Sequence, residues 1–193
     1  MLKLEQVPMT LVGLRFAIAP LLVLDALDHQ TGMAFVIGYV MAVLSDIFDG
    51  IIARKLGVST ERLRVADSWA DISLYLSIAF SVWLVFPQTL LDFRLPLLVA
   101  IAAQLMLFAT SLVKFQRLPS FHTYTAKLWG LTLLIATVGL FGFGNETWLW
   151  LAIALCLINS VEEILMTLVL PEWQCDVLSL AAARQIRQRW QPL

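Results

Sequence analysis

Charge is what this chain is short of. Only 14% of its 193 residues are Asp, Glu, Lys or Arg, against about a quarter in an ordinary soluble domain. A water-exposed globular surface is therefore excluded for most of its length. Cysteine is scarce too: Cys156 and Cys175 offer neither CxxC spacing nor a disulfide framework. Cys156 falls in an apolar run and reads as a small buried hydrophobe. The net charge is −1 and no basic block is present, which excludes the electrostatic footprint of a nucleic-acid partner. There is no internal repeat and no low-complexity segment. The opening residues, MLKLEQVPMT, lack a clear charged region and cleavage site, so no removable signal peptide is expected.

What the chain has in quantity is hydrocarbon. It is 60% hydrophobic, with a mean hydropathy of +0.84. Apolar runs recur near 10–27, 31–52, 67–87, 95–114, 126–143 and 147–169, each close to the roughly 20 residues that span a bilayer. A backbone in lipid must satisfy its own hydrogen bonds, so each run is expected to be a helix. The expectation is an all-α polytopic membrane protein: residues 1–170 form a six-helix transmembrane domain, and 171–193 form a cytoplasmic tail. Leu178, Ala181, Ala182 and Ile186 share one helix face in that tail, beside arginines, as in a short amphipathic helix lying on an anionic leaflet.

Twelve of the thirteen Lys and Arg residues fall on one side if both termini lie there. These are Lys3, Arg15, Arg54, Lys55, Arg62, Arg64, Lys114, Arg117, Lys127, Arg184, Arg187 and Arg189, and the opposite loops hold only Arg94. The positive-inside rule puts that side, with both termini, in the cytoplasm.

Against this apolar background four carboxylates stand out. Asp46 and Asp49 are three apart near the cytoplasmic end of the second helix, and Asp67 and Asp71 are four apart near the cytoplasmic start of the third. Each pair projects from one side of its helix, and a short connection lets the two helices be antiparallel neighbours. Four converging carboxylates would repel one another unless cations sat between them. Hard divalent ions such as Mg²⁺ favour carboxylate oxygens together with substrate phosphates, and a pair of them suits attack on a pyrophosphate-linked donor. Gly50 and Ala53 leave room for a ligand or a close helix contact, and Arg54 supplies a cation for a phosphate oxygen. The alternative, that the aspartates pair with Arg54, Arg62 and Arg64 as helix-end charges, accounts for one or two of the four.

The stretch from Asp46 to Asp71 resembles the signature of the CDP-alcohol phosphotransferases, D-x2-D-G-x2-A-R-x8-G-x3-D-x3-D. Asp46, Asp49, Gly50, Ala53, Arg54, Asp67 and Asp71 match, and Leu63 stands at the second glycine. At background frequencies of roughly 5–8% per position such a match arises by chance on the order of once in a million. Pro8 and Arg15 are similar, more weakly, to the family's opening P-N-x-x-T-x-x-R, with Met9 and Val12 at its Asn and Thr. The resemblance implies a six-helix membrane enzyme, usually a homodimer, that moves a substituted phosphate from a CDP-linked alcohol to a second alcohol and releases CMP. It implies that Asp46, Asp49, Asp67 and Asp71 bind a two-metal centre of Mg²⁺ or Mn²⁺, and that Asp71 is the general base. It also implies that Gly50, Arg54 and Thr60 contact the nucleotide or its phosphates. Leu63, Met9 and Val12 all depart on the side where the family holds cytidine, so a leucine at 63 is expected to crowd or shift that ligand.

The expected partners are a CDP-linked lipid donor, CDP-diacylglycerol first, and a small alcohol acceptor, with glycerol 3-phosphate ahead of inositol phosphate and serine. Lys114, Arg117, His122 and Lys127 around the second basic loop could hold an acceptor's phosphate or simply be positive-inside charge. Adjacent Glu162 and Glu163 cannot share one helix face; one could approach Lys127 or Arg15 as an ion-pair partner, or the two could act in function. The expected setting is the bacterial inner membrane, with the site facing the cytoplasm. The alternative functions are a degenerate relative that binds lipid or nucleotide without turnover, and a cation channel. The channel is disfavoured because the acidic groups cluster at one end of the helices.

Overall fold

The computed structural model describes residues 6–58 and 60–190, without the side chains of Glu61, Arg64 and Ser68. Lys3, counted above among the charges of the cytoplasmic face, lies outside the described residues. All regular structure among them is helical: α1 Val7–Ala26, α2 Met33–Leu56, α3 Glu61–Val85, α4 Pro87–Asp92, α5 Arg94–Phe115, α6 Tyr124–Phe143, α7 Thr147–Val169 and α8 Leu180–Arg189. Six of these, α1 to α3 and α5 to α7, are long and apolar enough to cross a membrane. Their outer faces are apolar, with Leu76, Leu95 and Val113 mostly exposed, while Arg15, Ser45, Asp49, Ser81, Thr123, Asn159 and Glu163 are buried. A soluble domain rarely exposes so much contiguous hydrocarbon; helices whose outer solvent is lipid require it. The chain is an integral membrane protein.

The helix ends differ from the apolar runs where polar signals extend them. Pro8 falls in the first turn of α1, where its missing N–H costs nothing, so that helix begins at Val7. Arg54 and Lys55 occupy the last turn of α2, a favourable place for cations beside the exposed carbonyls. Gly57, at φ 66°, closes α2 with its N–H on the carbonyls of Ala53 and Arg54; a side chain in that left-handed conformation would cost about 1–2 kcal/mol. Thr60 caps α3, its Oγ1 accepting the Leu63 N–H at 3.2 Å. Hydropathy alone misses these charged turns, and they carry Ala53, Arg54 and Leu63 of the motif. The short α4 was not expected: its residues read as a loop.

The chain divides into two compact units, Met1–Leu91 with Val138–Asn145, and Asp92–Thr137 with Glu146–Leu193. In the first, α1 packs closely against both α2 and α3. Sequence reasoning allows α2 and α3 to be antiparallel neighbours; α1 packs on both, and Val12 of α1 shares a buried cluster with Ala53 of α2 and with Leu63 and Ala70 of α3. The buried stripe of α1 runs Pro8, Val12, Arg15, Ala19, Leu22 and Ala26, the spacing of one helix face. Ala19 and Ala26 are fully buried and let backbones approach. Elsewhere in this unit Phe35 stacks on Phe141 with ring centroids 4.0 Å apart, and Phe86 meets Phe141 edge-on.

In the second unit α5 packs on α7 around Phe93, Ala100, Ile153 and Cys156. Cys156 is buried and unpaired, as expected, and Cys175 is exposed. Lys114 donates to the carbonyls of Thr167, Leu168 and Leu170, the groups a helix leaves unsatisfied at its C-terminus. The tail forms α8 and returns to this unit: Ala183 is buried against Met166, Leu170 and Val177, with Leu180, Ala182 and Ile186 packed around them. Leu178 and Ala181, on the expected lipid-facing stripe, are exposed.

Candidate metal centre and active site

The site is built where α1 bridges the two motif-bearing helices. Asp46 and Asp49 come from α2, Asp67 and Asp71 from α3, and all four carboxylates converge on one side chain, Arg15 of α1. Arg15 Nη1 lies 3.1 Å from Asp46 Oδ1 and 3.1 Å from Asp67 Oδ1, and also contacts Asp71 Oδ1. Nη2 contacts Asp49 Oδ2. Arg15 is fully buried and Asp49 nearly so, while the side chains of Asp46, Asp67 and Asp71 are 45, 35 and 38% exposed. One wall of the cluster is thus sealed by α1 and the other is open to a ligand.

The oxygen atoms of Asp46, Asp49 and Asp67 lie within 4.8 Å of one another. This donor set, all carboxylate and hard, is the one that Mg²⁺ and Mn²⁺ prefer. Four negative charges set against one guanidinium leave a formal charge of −3 (−4 + 1). The residues therefore fit a divalent metal. Arg54, a further cation of the motif, is not among the partners of the aspartates. Its guanidinium folds back over Gly50, where a Cβ would meet Nη1 at 3.4 Å. Gly50 thus makes the seat on which Arg54 lies, exposed to solvent. Thr60 is exposed, and its hydroxyl oxygen is engaged as the cap of α3.

Sequence reasoning missed the central role of Arg15, which it took as positive-inside charge, a weak motif match and a partner for a glutamate. The signal was present: a cation midway along the Pro8–Val12–Arg15–Ala19 stripe must face other helices, not lipid. The glutamates find other partners. Glu162 accepts from Thr125 Oγ1 and from the Leu180 N–H that opens α8. Glu163, buried, faces Thr123 Oγ1 at 3.4 Å, and Asn159 Oδ1 accepts from both threonines. The basic-loop residues also have partners within the protein. Lys114 caps α7, Arg117 lies over the Trp173 ring, His122 Nδ1 is 3.1 Å from Asp176 Oδ1, and Lys127 lies over the Tyr124 ring.

Leu63 is buried in an apolar cluster with Val12, Ala53 and Ala70, flanked by Val58 and Ala66. Two of the three departures from the motif, Val12 and Leu63, therefore pack together. Leu63→Ala is expected to lower stability by about 2–4 kcal/mol through the cavity it leaves, read as a lower melting temperature in detergent. A thermally unchanged variant that bound a CDP-linked lipid more tightly would show instead that this volume belongs to the ligand.

Fold and site together define a polytopic membrane protein with a polycarboxylate centre built by three of its helices. A family profile for CDP-alcohol phosphatidyltransferases matches residues 5–171, and the chain belongs to that family. Its members transfer a phosphatidyl group from a CDP-alcohol to an alcohol acceptor in a membrane, with divalent metal. No curated protein and no solved structure matches the chain significantly.

Proposed function

We propose that this protein transfers the phosphatidyl group of CDP-diacylglycerol to glycerol 3-phosphate and releases CMP. The observation that carries the reading is the convergence of Asp46, Asp49, Asp67 and Asp71 on one guanidinium in a chain of this family. Asp46, Asp49 and Asp67 are the principal metal ligands, with Asp71 completing the set. Divalent ions held there, Mg²⁺ or Mn²⁺, supply charge neutralisation at the donor's pyrophosphate. Arg54, seated on Gly50, reaches a phosphate oxygen from the open side. Thr60, whose oxygen already accepts from Leu63 N–H, has its hydroxyl hydrogen left to donate to the nucleotide. Asp71 takes the proton of the acceptor hydroxyl as its oxygen forms the new P–O bond and the bond to CMP breaks. The acceptor assignment leans on the cations of the second basic loop; inositol phosphate and serine are the acceptors to compare.

A second reading, a family member that binds donor without turnover, is favoured by the Val12–Leu63 cluster. Purified protein with Mg²⁺ or Mn²⁺, radiolabelled CDP-diacylglycerol and a panel of alcohols separates the two. Metal-dependent CMP release with glycerol 3-phosphate is the expected result. Donor binding with no CMP release under any acceptor would establish the second reading.

Residues 1–170 form the catalytic domain in this proposal and 171–193 its cytoplasmic tail, and the enzyme works as a homodimer in a bacterial inner membrane. The charge distribution supports cytoplasmic termini and a cytoplasmic site. In a cysteine-free background, Lys55→Cys should react with an impermeant thiol reagent only from the cytoplasmic face, and Gln30→Cys only from the opposite face. Labelling of both from one face would overturn the topology.

A further inference from the structure

We propose that Arg15 is the resident cation of the aspartate site: in the metal-free protein its guanidinium stands where a divalent ion would, and loading the site moves it off the carboxylates. The inference rests on the metal-centre reading above and adds to it a competitor built into the chain. Three features of the geometry support it.

The first is a mismatch of donors and acceptors. Nη1 carries two hydrogens, yet three carboxylate oxygens, from Asp46, Asp67 and Asp71, gather around it. Two hydrogens cannot serve all three oxygens in full, although Asp46 Oδ1 lies as close to that nitrogen as Asp67 Oδ1 does, at 3.1 Å. A site shaped for a guanidinium would spread its oxygens over the planar fork; here three of the four crowd Nη1 and only Asp49 takes Nη2. The second feature is at the other end of the group. Arg15 Nε is buried and has no hydrogen-bond partner. Buried donors are nearly always satisfied, so the guanidinium is placed by the field of the carboxylates and not by a cradle made for it. The third is charge. Arg15 and a divalent ion cannot share the same oxygens, because two cations at contact distance repel strongly where water is excluded.

Arg15 accordingly keeps four carboxylates together while the site is empty of metal, and it weakens metal binding by the cost of its displacement. Stability in a chelator and affinity for metal should therefore move in opposite directions when Arg15 is changed. Mn²⁺ binding by electron paramagnetic resonance, and thermal unfolding in EDTA and in Mn²⁺, read the two separately on the full chain in detergent. Arg15→Gln is expected to melt lower than wild type in EDTA and to bind Mn²⁺ roughly tenfold more tightly, since a buried like charge has been removed. It should also regain most of its lost melting temperature in Mn²⁺. Asp67→Asn, the control, should lose Mn²⁺ binding with Arg15 present or replaced.

Unchanged or weaker Mn²⁺ affinity in Arg15→Gln, with binding still abolished by Asp67→Asn, overturns the role of Arg15 and leaves the metal centre standing. Absence of Mn²⁺ binding in both wild type and Arg15→Gln removes the metal centre and this inference with it. Recovery of folded Arg15→Gln only in Mn²⁺ supports the inference. Where Arg15→Gln folds in neither medium, Arg15→Lys decides. Its single ammonium cannot span Asp49 and Asp71 together, so tighter Mn²⁺ binding than wild type is expected, and wild-type affinity overturns the proposal.

Discussion

Asp67→Asn is expected to lower the rate of CMP release by on the order of a thousandfold or more, and Asp49→Asn by a similar factor. Each change removes one carboxylate charge while keeping the shape of the side chain. The two are not equivalent in the metal-free protein. Asp49 is nearly buried against Arg15 Nη2, whereas Asp67 is about one-third exposed. Asp49→Asn should therefore also destabilise the fold, because the buried guanidinium loses its least solvated partner. The double variant should be little worse than the worse single one, since residues that act as one unit give losses far from additive. Steady-state CMP release with saturating Mn²⁺, alongside melting temperatures, checks both statements. Retention of most of the activity in either single variant would end the reading of the four aspartates as a metal centre.

Asp71→Asn is expected to lower turnover by on the order of a hundredfold to ten-thousandfold, the range typical of a general acid or base, with much less effect on donor affinity. Asp71 shares Arg15 Nη1 with Asp46 and Asp67, but its side chain is 38% exposed, so an acceptor hydroxyl can reach it. The loss should be larger for an acceptor whose hydroxyl is harder to deprotonate, and Asp71→Glu should restore part of the rate. Normal turnover with much weaker donor binding would reassign Asp71 to ligand positioning alone.

The legible parts of this molecule are those in which one physical rule dominates. Six spans follow from hydrocarbon length alone, because lipid leaves the backbone no option but the helix. The pairing of Asp46 with Asp49 and of Asp67 with Asp71 follows from helical periodicity. The clustering of the pairs follows from the four-residue link Gly57–Thr60 between α2 and α3. Other features were obscure where two rules compete. Hydropathy ends the second run near residue 52, but arginine, lysine and a left-handed glycine carry α2 to Leu56. The short link between α2 and α3 says nothing of α1, yet small residues on α1 let it pack against both. Arg15 obeys the positive-inside rule and also sits on a buried stripe; the stripe decides its partners. Lys114, Arg117, His122 and Lys127 of the second basic loop likewise have uses, on helix-end carbonyls, rings and a carboxylate, that residue type alone does not disclose.

The burial of Arg15 has a consequence for how the protein is made. During synthesis α1 leaves the ribosome ahead of α2 and α3, carrying its one cation near the middle of a mostly apolar segment. An arginine at the centre of a nascent segment costs about 2.5–3.5 kcal/mol on insertion scales, and its neutralising carboxylates have yet to be translated. Asp49 and Asp46 arrive with the second segment, Asp67 and Asp71 only with the third. The first segment is thus held in place by residues that follow it by 31 to 56 positions, counted from Arg15 to Asp46 and to Asp71. The three segments make one insertion unit: a chain truncated before Asp46 should leave α1 poorly anchored, and one extended through Asp71 should hold it firmly.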